Sequence, residues 1–363
     1  MASTYLSKTF SSAGDRKTFT FSTWIKKCEN SSTLQAAMLG SYSSSLARSV
    51  IRFRNDSLEY QDSGSSTELI TNNKSRDNNG WYHIVVAVDT TQATSSDRVK
   101  LYINGTLQTS FSSNTYPSQN SNMNTNNNVV HYVNARSSSG TPELQSEAIY
   151  AHTHFLDGTA SEADTFGQTD STTGIWKPKT NPSVTYGTNG FFLKFENTSA
   201  FGEDSSGNDN DFTVNGTITQ TLDTPSNVFC TANPLSKGSN VALTNGNLTI
   251  TKGSGFESCM ATLMPSAGKW YWENKVVSLG TVNAGVTKFT HDGTTNSRVD
   301  AGRSMYSSNG NIYNEGLSHA DIATGTTFTT GDIIGVALDI DNDEIKYYKN
   351  GTLVDTVDDS GIG

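Results

Sequence analysis

The chain has 363 residues, of which 34% are hydrophobic, and it carries a formal net charge of -10. Because lysine and arginine supply most of the affinity for nucleic acid, we expect no nucleic-acid partner for so acidic a chain. The sequence has neither an apolar run long enough to span a membrane nor a signal peptide at its N-terminus, so we expect no membrane insertion and synthesis in the cytoplasm.

The residue types favour short strands joined by polar turns. Aromatic residues make up 10% of the chain, there are 31 glycines, and serine, threonine and asparagine occur in long runs, whereas strong helix formers are scarce. The three cysteines, Cys28, Cys230 and Cys259, are too few for a disulfide framework and lack the paired spacing of a zinc site. We therefore predict an all-β fold without disulfides or structural zinc.

The first strands are predicted from hydrophobic periodicity. Residues 17–27 (KTFTFSTWIKK) carry apolar side chains in both phases, and residues 81–89 (WYHIVVAVD) contain an unbroken apolar run, so we expect both segments to be covered on two faces. Residues 99–111 (VKLYINGTLQTSF) alternate on either side of Asn104-Gly105. This dipeptide predicts a two-residue hairpin, because both central positions of a type I′ turn need positive φ.

The middle of the chain alternates polar loops with strands. Residues 115–136 form an Asn-rich segment that ends in a short strand near residues 129–133, and this segment is a candidate binding loop. Residues 144–168 predict a strand followed by a turn at Asp157-Gly158.

Another strand is predicted where Phe191, Leu193 and Phe195 lie in phase. Residues 204–218 (DSSGNDNDFTVNGTI) then predict a tight turn and a last short strand of the first domain.

The predicted domains are separated by a connector rich in proline and small polar residues. We place the first domain at residues 1–222, the connector at residues 223–240 and a second all-β domain at residues 241–363. The second domain has its own Asn-Gly hairpin in the sequence IKYYKNGTLVDTV.

Six blocks of the first domain carry a family resemblance. They are FTFSTWIKK, GWYHIVVAVDTT, VKLYINGTLQ, HFLDGTA, FFLKFEN and DSSGNDNDF, within residues 3–220. The series resembles a laminin G-like domain of the concanavalin A-like lectin/glucanase jelly rolls, in the variant common in virion proteins of tailed bacteriophages, particularly those of marine bacteria. The resemblance implies an antiparallel jelly-roll β-sandwich.

The second domain is similar to a different sandwich. GKWYWENKVV, followed by TTGDIIGVALDIDNDEIKYYKNGTLVDTV, resembles a SPRY domain, itself a concanavalin A-like fold. In SPRY domains further strands follow the last hairpin, whereas this sequence ends soon after it at VDDSGIG. The resemblance therefore implies one of two arrangements: another chain completes the sandwich, or the module is C-terminally shortened and has an exposed edge that must be covered. In either case we expect a homo-oligomer.

An acidic stretch of the second domain has the spacing of a hydrolase motif. Asp339, Asp341 and Asp343 alternate as the catalytic carboxylates of laminarinase-type glycoside hydrolases do. The first of them stands where the hydrolase pattern has Glu, and the SPRY resemblance places Asn342-Asp343 in a hairpin turn. We therefore expect a turn, no catalytic residues and no enzymatic activity.

Metal binding has little support in the sequence. The acidic stretch and residues 204–211 (DSSGNDND) offer clustered oxygens to Ca²⁺, but neither has EF-hand spacing, and turns of this composition are usually structural. His152 and His154 share a strand face without a third ligand in view. We therefore expect no cofactor, with calcium as the alternative.

The aromatic residues divide into two sets. Trp24, Trp81, Trp270 and Trp272 stand inside strand blocks, so we expect them in the core. Tyrosines in turn-rich segments can stack on a sugar ring, and neighbouring asparagines can hydrogen-bond sugar hydroxyls. The predicted carbohydrate contacts are Tyr116, Asn124, Tyr306, Asn311 and Tyr313.

Together the two resemblances imply a non-enzymatic bacteriophage virion protein, either a tail fibre, a tail accessory protein or a capsid decoration. Its expected partners are host-surface glycans, through adhesion, and other virion proteins, through assembly contacts. Two alternatives from other functional classes are a glycan-degrading enzyme of the laminarinase type and a structural spacer without a ligand.

Overall fold

The computed structural model describes residues 4–29, 35–253, 257–280, 282–287, 303–314 and 321–358. Within these residues the chain consists of antiparallel strands and short 3₁₀ turns at Ser95–Asp97, Ala163–Thr165 and Ile340–Asn342, which confirms the predicted all-β fold. No helix in the described part of the chain has the length and apolar character needed to cross a membrane. The chain divides into two compact units, residues 1–230 and residues 231–363.

The described residues of the first unit form two large sheets and two small strand pairs. Its strands are β1 (Tyr5–Thr9), β2 (Thr18–Lys27), β3 (Gln35–Ser44), β4 (Ala47–Arg54), β5 (Ser57–Asp62), β6 (Thr67–Thr71), β7 (Trp81–Asp89), β8 (Val99–Ile103), β9 (Thr106–Leu107), β10 (Phe111–Thr115), β11 (Val130–Val133), β12 (Arg136–Ser137), β13 (Pro142–Glu143), β14 (Ala148–Asp157), β15 (Gly167–Thr169), β16 (Trp176–Pro178), β17 (Phe191–Leu193) and β18 (Thr213–Asn215). One sheet has the order β10-β6-β5-β4-β3-β11-β1-β18, and the other has the order β17-β14-β2-β7-β8-β9. The pairs are β12 with β13 and β15 with β16.

The core of the first unit lies between these two sheets. Phe21 and Val86 of the six-stranded sheet are fully buried in one cluster with Tyr60 of the eight-stranded sheet. Because side chains alternate along a strand, the other phase of β2 and β7 points away from this core. There Val85 packs with Phe166 in a second cluster, beneath the segment that follows β14. Both faces of β2 and β7 are therefore covered, as their sequence patterns predict.

The second unit contains two four-stranded sheets and two strand pairs within its described residues. Its strands are β19 (Ala232–Lys237), β20 (Val241–Thr244), β21 (Thr249–Lys252), β22 (Cys259–Ala261), β23 (Lys269–Lys275), β24 (Asn283–Thr287), β25 (Arg303–Ser307), β26 (Asn311–Tyr313), β27 (Ile322–Ala323), β28 (Ile333–Asp339), β29 (Glu344–Lys349) and β30 (Thr352–Asp358). The sheets have the orders β23-β28-β29-β30 and β24-β25-β26-β27, and the pairs are β19 with β22 and β20 with β21. Val336 and Tyr347 of the first sheet pack with Tyr306 and Ile312 of the second, so this unit is also a sandwich.

Both Asn-Gly hairpins are confirmed. Asn104 and Gly105 have φ values of 49° and 80° between β8 and β9, and Asn350 and Gly351 have values of 49° and 79° between β29 and β30. Positive φ at both central residues is the backbone of a type I′ turn. The two units therefore use the same local chemistry to reverse a strand.

One predicted connector and one predicted strand differ from the structure. Residues 232–237 lie inside the predicted connector but form β19, which pairs with β22. Phe195 was expected to continue the strand of Phe191 and Leu193, yet β17 ends at Leu193. Phe195 has a φ of 61°, which is incompatible with a strand, so its ring does not stay in phase.

The tryptophans predicted to be core residues do not all lie in the core. Trp24 and Trp81 are buried, whereas Trp272 is only partly buried and Trp270 is 43% exposed. Trp270 lies at the start of β23, an edge strand of its sheet, and its Nε1 donates to Ala267 O at 2.8 Å. An edge position with a local hydrogen-bond partner explains why this ring stays near solvent.

Candidate functional site

An open cleft with a volume of about 710 Å³ lies on the surface of the first unit. We call it the Tyr186 cleft, and its lining residues are Val184, Thr185, Tyr186, Gly187, Thr188, Ser206 and Asn208. One wall is the loop that precedes β17, and the other is the turn that follows β17. Both walls are held by hydrogen bonds.

The first wall is fixed to the end of β14 at Asp157. The Asp157 backbone N donates to Tyr186 O at 2.8 Å, and Asp157 Oδ2 accepts from Asn189 N at 3.0 Å. Gly187 has a φ of 72°, and a Cβ atom there would lie 2.2 Å from Asp157 O. Only glycine fits this conformation and this close approach, so Gly187 allows the wall to lie against β14.

The second wall is a turn built around the carboxylate of Asp204. Asp204 Oδ1 accepts from Phe192 N and from Ser206 N, each at 2.8 Å, and Oδ2 accepts from Asn210 N at 2.9 Å. The turn predicted for residues 204–211 is therefore confirmed. Both carboxylate oxygens accept hydrogen bonds from the chain itself, so this aspartate organises the loop.

Two asparagines of the second wall bond across to the first. Asn208 Nδ2 donates to Gly187 O at 2.6 Å and to Gly190 O at 3.0 Å. Asn210 Nδ2 donates to Thr188 O and to Gly190 O, each at 2.9 Å. The two walls are thus one hydrogen-bonded assembly, and a ligand meets a cleft whose backbone geometry is already set.

The aromatic ring of the cleft is supported from behind. The Tyr186 hydroxyl forms a hydrogen bond with His154 Nδ1 at 2.9 Å, and the His154 ring stacks on Phe192 with centroids 3.9 Å apart. Burial holds the pKa of His154 well below its usual range, so the imidazole is neutral and Nδ1 can accept. Burial also raises the pKa of Tyr186, so its hydroxyl stays protonated. The ring is therefore held in one orientation.

The side chains of the cleft suit recognition of a sugar. Thr185, Thr188 and Asn208 are exposed and can bond sugar hydroxyls, and the Tyr186 ring offers an apolar face. None of the seven lining residues is an acid, whereas glycoside hydrolysis needs a pair of carboxylates. The lining therefore offers hydrogen-bonding groups beside an aromatic face and contains no carboxylate.

The structure places two of the predicted carbohydrate contacts in the interior. Asn124 is 2% exposed, and its Nδ2 donates to Ser41 Oγ at 2.8 Å. Tyr306 is fully buried and packs against Phe328 with ring centroids 5.0 Å apart. A polar or amphipathic residue beside a turn can point into the core, and here burial removes both side chains from reach of a ligand.

The other three predicted contacts are accessible but lie outside the cleft. Tyr116 is half-buried against the core of the first unit. Asn311 and Tyr313 are neighbours on β26, where Asn311 Nδ2 donates to the Tyr313 hydroxyl at 3.4 Å. These three residues stay predictions. Sequence reasoning missed Tyr186, although it too is a tyrosine among glycine, threonine and asparagine.

The acidic stretch of the second unit is a turn, as predicted. Residues Ile340–Asn342 form a 3₁₀ turn, and Asp343 has a φ of 53°. Asp339 Oδ2 lies 2.7 Å from Lys269 Nζ, and Asp341 Oδ1 accepts from Gly268 N at 2.9 Å. These carboxylates anchor the hairpin and do not converge on one cleft.

The two histidines of β14 that share a strand face in sequence are placed differently from each other. His154 is buried beneath Tyr186, while His152 has a φ of 48° at an irregularity between β14 and β2. Their rings stack with centroids 6.4 Å apart. Across the residues that the structure describes, no group of three or more His, Cys, Asp or Glu side chains could hold a metal ion.

Comparisons with known families agree with the two sandwiches. Residues 2–141 match the family model of the Concanavalin A-like lectin/glucanases superfamily, and residues 269–357 match that of the SPRY domain. The predicted order of a laminin G-like domain followed by a SPRY-like domain is therefore confirmed. No curated protein sequence matches this chain.

Several solved structures are similar to this chain. The native heptameric SAP-like pentraxin of Limulus polyphemus is 12% identical with a TM-score of 0.32, over 44% of this chain and 71% of that chain. Domains LG4-5 of the mouse laminin alpha1 chain are 10% identical with a TM-score of 0.35, over 98% and 77%. A botulinum neurotoxin type C structure is 16% identical with a TM-score of 0.23, over 36% and 33%.

Proposed function

We propose that this chain is a non-enzymatic carbohydrate-binding protein and that the Tyr186 cleft receives the saccharide. The observation that carries the proposal is the cleft itself, in which a supported aromatic ring stands beside exposed hydroxyl and amide groups on hydrogen-bonded walls. The match of residues 2–141 to a superfamily of lectins and glucanases supports saccharide as the ligand class. The absence of a lining carboxylate favours the lectin over the glucanase within that superfamily.

We propose further that the protein belongs to a bacteriophage virion, as a tail fibre, tail accessory or capsid decoration. In this setting the cleft attaches the particle to host-surface glycans, and other surfaces contact virion proteins or further copies of the chain. The support is the likeness of its ordered sequence blocks to virion proteins of tailed phages. A reconstruction of the particle tests it, because density for this chain at a fibre, at the tail or on the capsid lattice identifies its place.

A glycan array with the full chain tests saccharide binding at the cleft. Thr188 is exposed and lines the cleft, so Thr188→Trp fills the cleft without removing a buried contact. Thr94 is also an exposed threonine of the same unit and lies outside the cleft, so Thr94→Trp is the matched control. We expect the wild-type chain and Thr94→Trp to bind the same glycans and Thr188→Trp to lose them.

Three outcomes contradict the proposal. An array without binding, together with a particle map in which protein covers both units, favours a structural spacer. Release of reducing sugar from algal or bacterial polysaccharide by the purified chain favours the laminarinase-type enzyme. If Thr188→Trp still binds, the saccharide site lies on another surface. The next residues to change are then the accessible predicted contacts Tyr116, Asn311 and Tyr313.

A further inference from the structure

The outer face of the eight-stranded sheet carries cationic side chains in a chain of net negative charge. Phe53 and Tyr60 belong to the core, so the alternation of side chains places their neighbours Arg52, Arg54 and Glu59 on the opposite face. Charged groups on a sheet face that is not packed against the core need partners or solvent. The partners differ between the two arginines.

Arg52 is fully engaged within the protein. Its Nε donates to Glu59 Oε2 at 2.9 Å and its Nη2 donates to Glu59 Oε1 at 2.8 Å, while Nη1 bonds Gln35 Oε1 at 2.5 Å. The side chains of Arg52 and Glu59 are 4% and 0% exposed. This bidentate pair is closed to ligands, and it leaves little negative charge for Arg54.

Arg54 faces a cavity with a volume of about 380 Å³. The lining residues are Arg54, Asn55, Ser57, Glu68, Ile70, Lys74 and Ser112. Arg54 Nη1 lies 3.7 Å from Glu59 Oε2 and 3.9 Å from Glu68 Oε1, which are ion-pair distances without direct hydrogen bonds. Its guanidinium is therefore free to turn its hydrogen-bonding edge toward a bound group.

Lys74 supplies a second cation on the same cavity. Its Nζ donates to Asn55 O at 2.8 Å, and the residue is exposed. Glu68 is the single carboxylate in the lining, and its Oε2 accepts from Ser113 Oγ at 2.9 Å. Because Glu59 is already paired with Arg52, Glu68 alone faces Arg54 and Lys74, and an excess of positive charge remains at this cavity.

We infer that this cavity binds the carboxylate or sulfate group of an acidic saccharide, an inference that rests on the proposed carbohydrate-binding function. The planar guanidinium of Arg54 matches two oxygens of an oxyanion, and the ammonium of Lys74 acts as a point charge beside it. Asn55 and Ser112 are exposed on the rim, where they can bond sugar hydroxyls. The volume accommodates a sugar residue that carries such a group.

The test is an array whose members share one neutral backbone and differ only in uronate or O-sulfate groups. We expect the full chain to prefer anionic members by about tenfold, which is the effect of one charge-assisted contact. The double variant Arg54→Gln with Lys74→Gln removes the preference and leaves binding of the neutral backbone unchanged. Arg54→Lys keeps the positive charge but loses the planar guanidinium that can donate two parallel hydrogen bonds. We therefore expect it to lower the preference for uronate only in part.

The matched control is Arg76→Gln with Lys194→Gln, which removes the same charge from the same unit outside this cavity. We expect the control to keep the anionic preference. Equal binding of neutral and anionic members, or a preference that survives Arg54→Gln with Lys74→Gln, overturns the inference while Thr188→Trp still tests the proposed function. A chain that binds no member contradicts both. If the chain prefers only the members with uronate, or only those with O-sulfate, that result identifies which oxyanion the cavity binds.

Discussion

Asn104 makes a two-sided hydrogen-bonded pair with His83. The Asn104 backbone N donates to His83 O at 2.9 Å, and its side-chain Oδ1 accepts from His83 N at 2.7 Å. Asn350 repeats the arrangement with Ile333, at 2.8 Å and 2.9 Å. In each unit the asparagine of the Asn-Gly turn therefore extends the ladder to the neighbouring strand, in addition to supplying positive φ.

The first prediction concerns this double role. Asn104→Ala removes the acceptor of the buried His83 N and places an unfavoured residue at positive φ, so we expect the free energy of unfolding to fall by about 1–3 kcal/mol. Asn104→Asp keeps an acceptor and tolerates positive φ, so we expect a smaller loss, below about 1 kcal/mol. Urea unfolding of the full chain measures both. Equal losses in the two variants would show that the side-chain acceptor contributes nothing.

The hairpins also show what local sequence can predict. The Asn-Gly dipeptide and the alternation around it specify the turn type because those requirements are local. The hydrogen bond that Asn104 Oδ1 accepts from His83 N depends on the register between β7 and β8, and it joins residues that are 21 positions apart in the sequence. No local pattern encodes that partner, so the second role of the asparagine appears only in the fold.

The carbohydrate contacts were harder to predict for the same reason. Tyr306, Tyr313 and Tyr186 all stand in turn-rich sequence, yet Tyr306 is buried and Tyr186 lines a cleft. Whether such a tyrosine is buried or exposed depends on whether its position in the fold directs the side chain toward the core or toward solvent. Asn208 joins two loops that are separated by β17, and that meeting is likewise a consequence of tertiary packing.

The second prediction concerns the buried ion pair of Lys26 with Asp223. Lys26 Nζ lies 2.5 Å from Asp223 Oδ2, with the side chains 1% and 0% exposed, and Trp81 Nε1 donates to Asp223 Oδ1 at 2.8 Å. Asp223→Asn leaves a buried ammonium without its counter-charge, so we expect a loss of about 3–5 kcal/mol in the free energy of unfolding.

The double variant Lys26→Met with Asp223→Asn separates charge from packing. It removes both charges and keeps an acceptor for Trp81, so we expect it to recover most of the stability that Asp223→Asn loses. Glu162→Gln is the control, because the Lys100–Glu162 pair at 3.8 Å is largely exposed, and its loss should stay below about 0.5 kcal/mol. A double variant as unstable as Asp223→Asn would contradict the role of the unpaired charge.

The third prediction concerns pH and His131. His131 is buried, Nε2 accepts from Asn126 N at 3.0 Å, and Nδ1 donates to Val129 O at 2.9 Å, so the ring is neutral. Burial lowers the pKa of His131 to about 4, while the pKa in the unfolded chain is near the ordinary 6.5. Between these values the unfolded state binds more protons, so stability is present above pH 6.5 and is lost as the pH falls toward 4.

His131→Gln measures this contribution, because an amide offers a donor and an acceptor without titrating. The wild-type chain should lose up to about 1.4 kcal/mol per pH unit relative to the variant across that window. Urea unfolding at several pH values gives the difference. Other buried groups, such as Asp62, titrate in both proteins and cancel. Parallel curves for the two proteins would contradict the assignment of the pH dependence to His131.

The fourth prediction compares two glycines beside Asp157. Gly187 and Gly158 both have positive φ, 72° and 86°, but a Cβ at Gly187 would lie 2.2 Å from Asp157 O whereas one at Gly158 would meet nothing within 4 Å. Gly158→Ala therefore costs only the backbone conformation, about 1–2 kcal/mol. In Gly187→Ala the new Cβ also clashes with backbone, which cannot move aside as a flexible side chain could. We therefore expect the free energy of unfolding to fall by about 3 kcal/mol or more.

The same pair of variants separates stability from binding at the Tyr186 cleft. Relief of the clash must displace the loop of Tyr186, and that loop carries the carbonyl of Gly187 to which Asn208 Nδ2 donates at 2.6 Å. We therefore expect Gly187→Ala to lose saccharide binding on the array at a temperature where the chain is still folded. Gly158→Ala keeps binding, since its backbone lies outside the lining. If Gly187→Ala bound saccharide as the wild-type chain does, the preset geometry of this wall would not be needed for recognition.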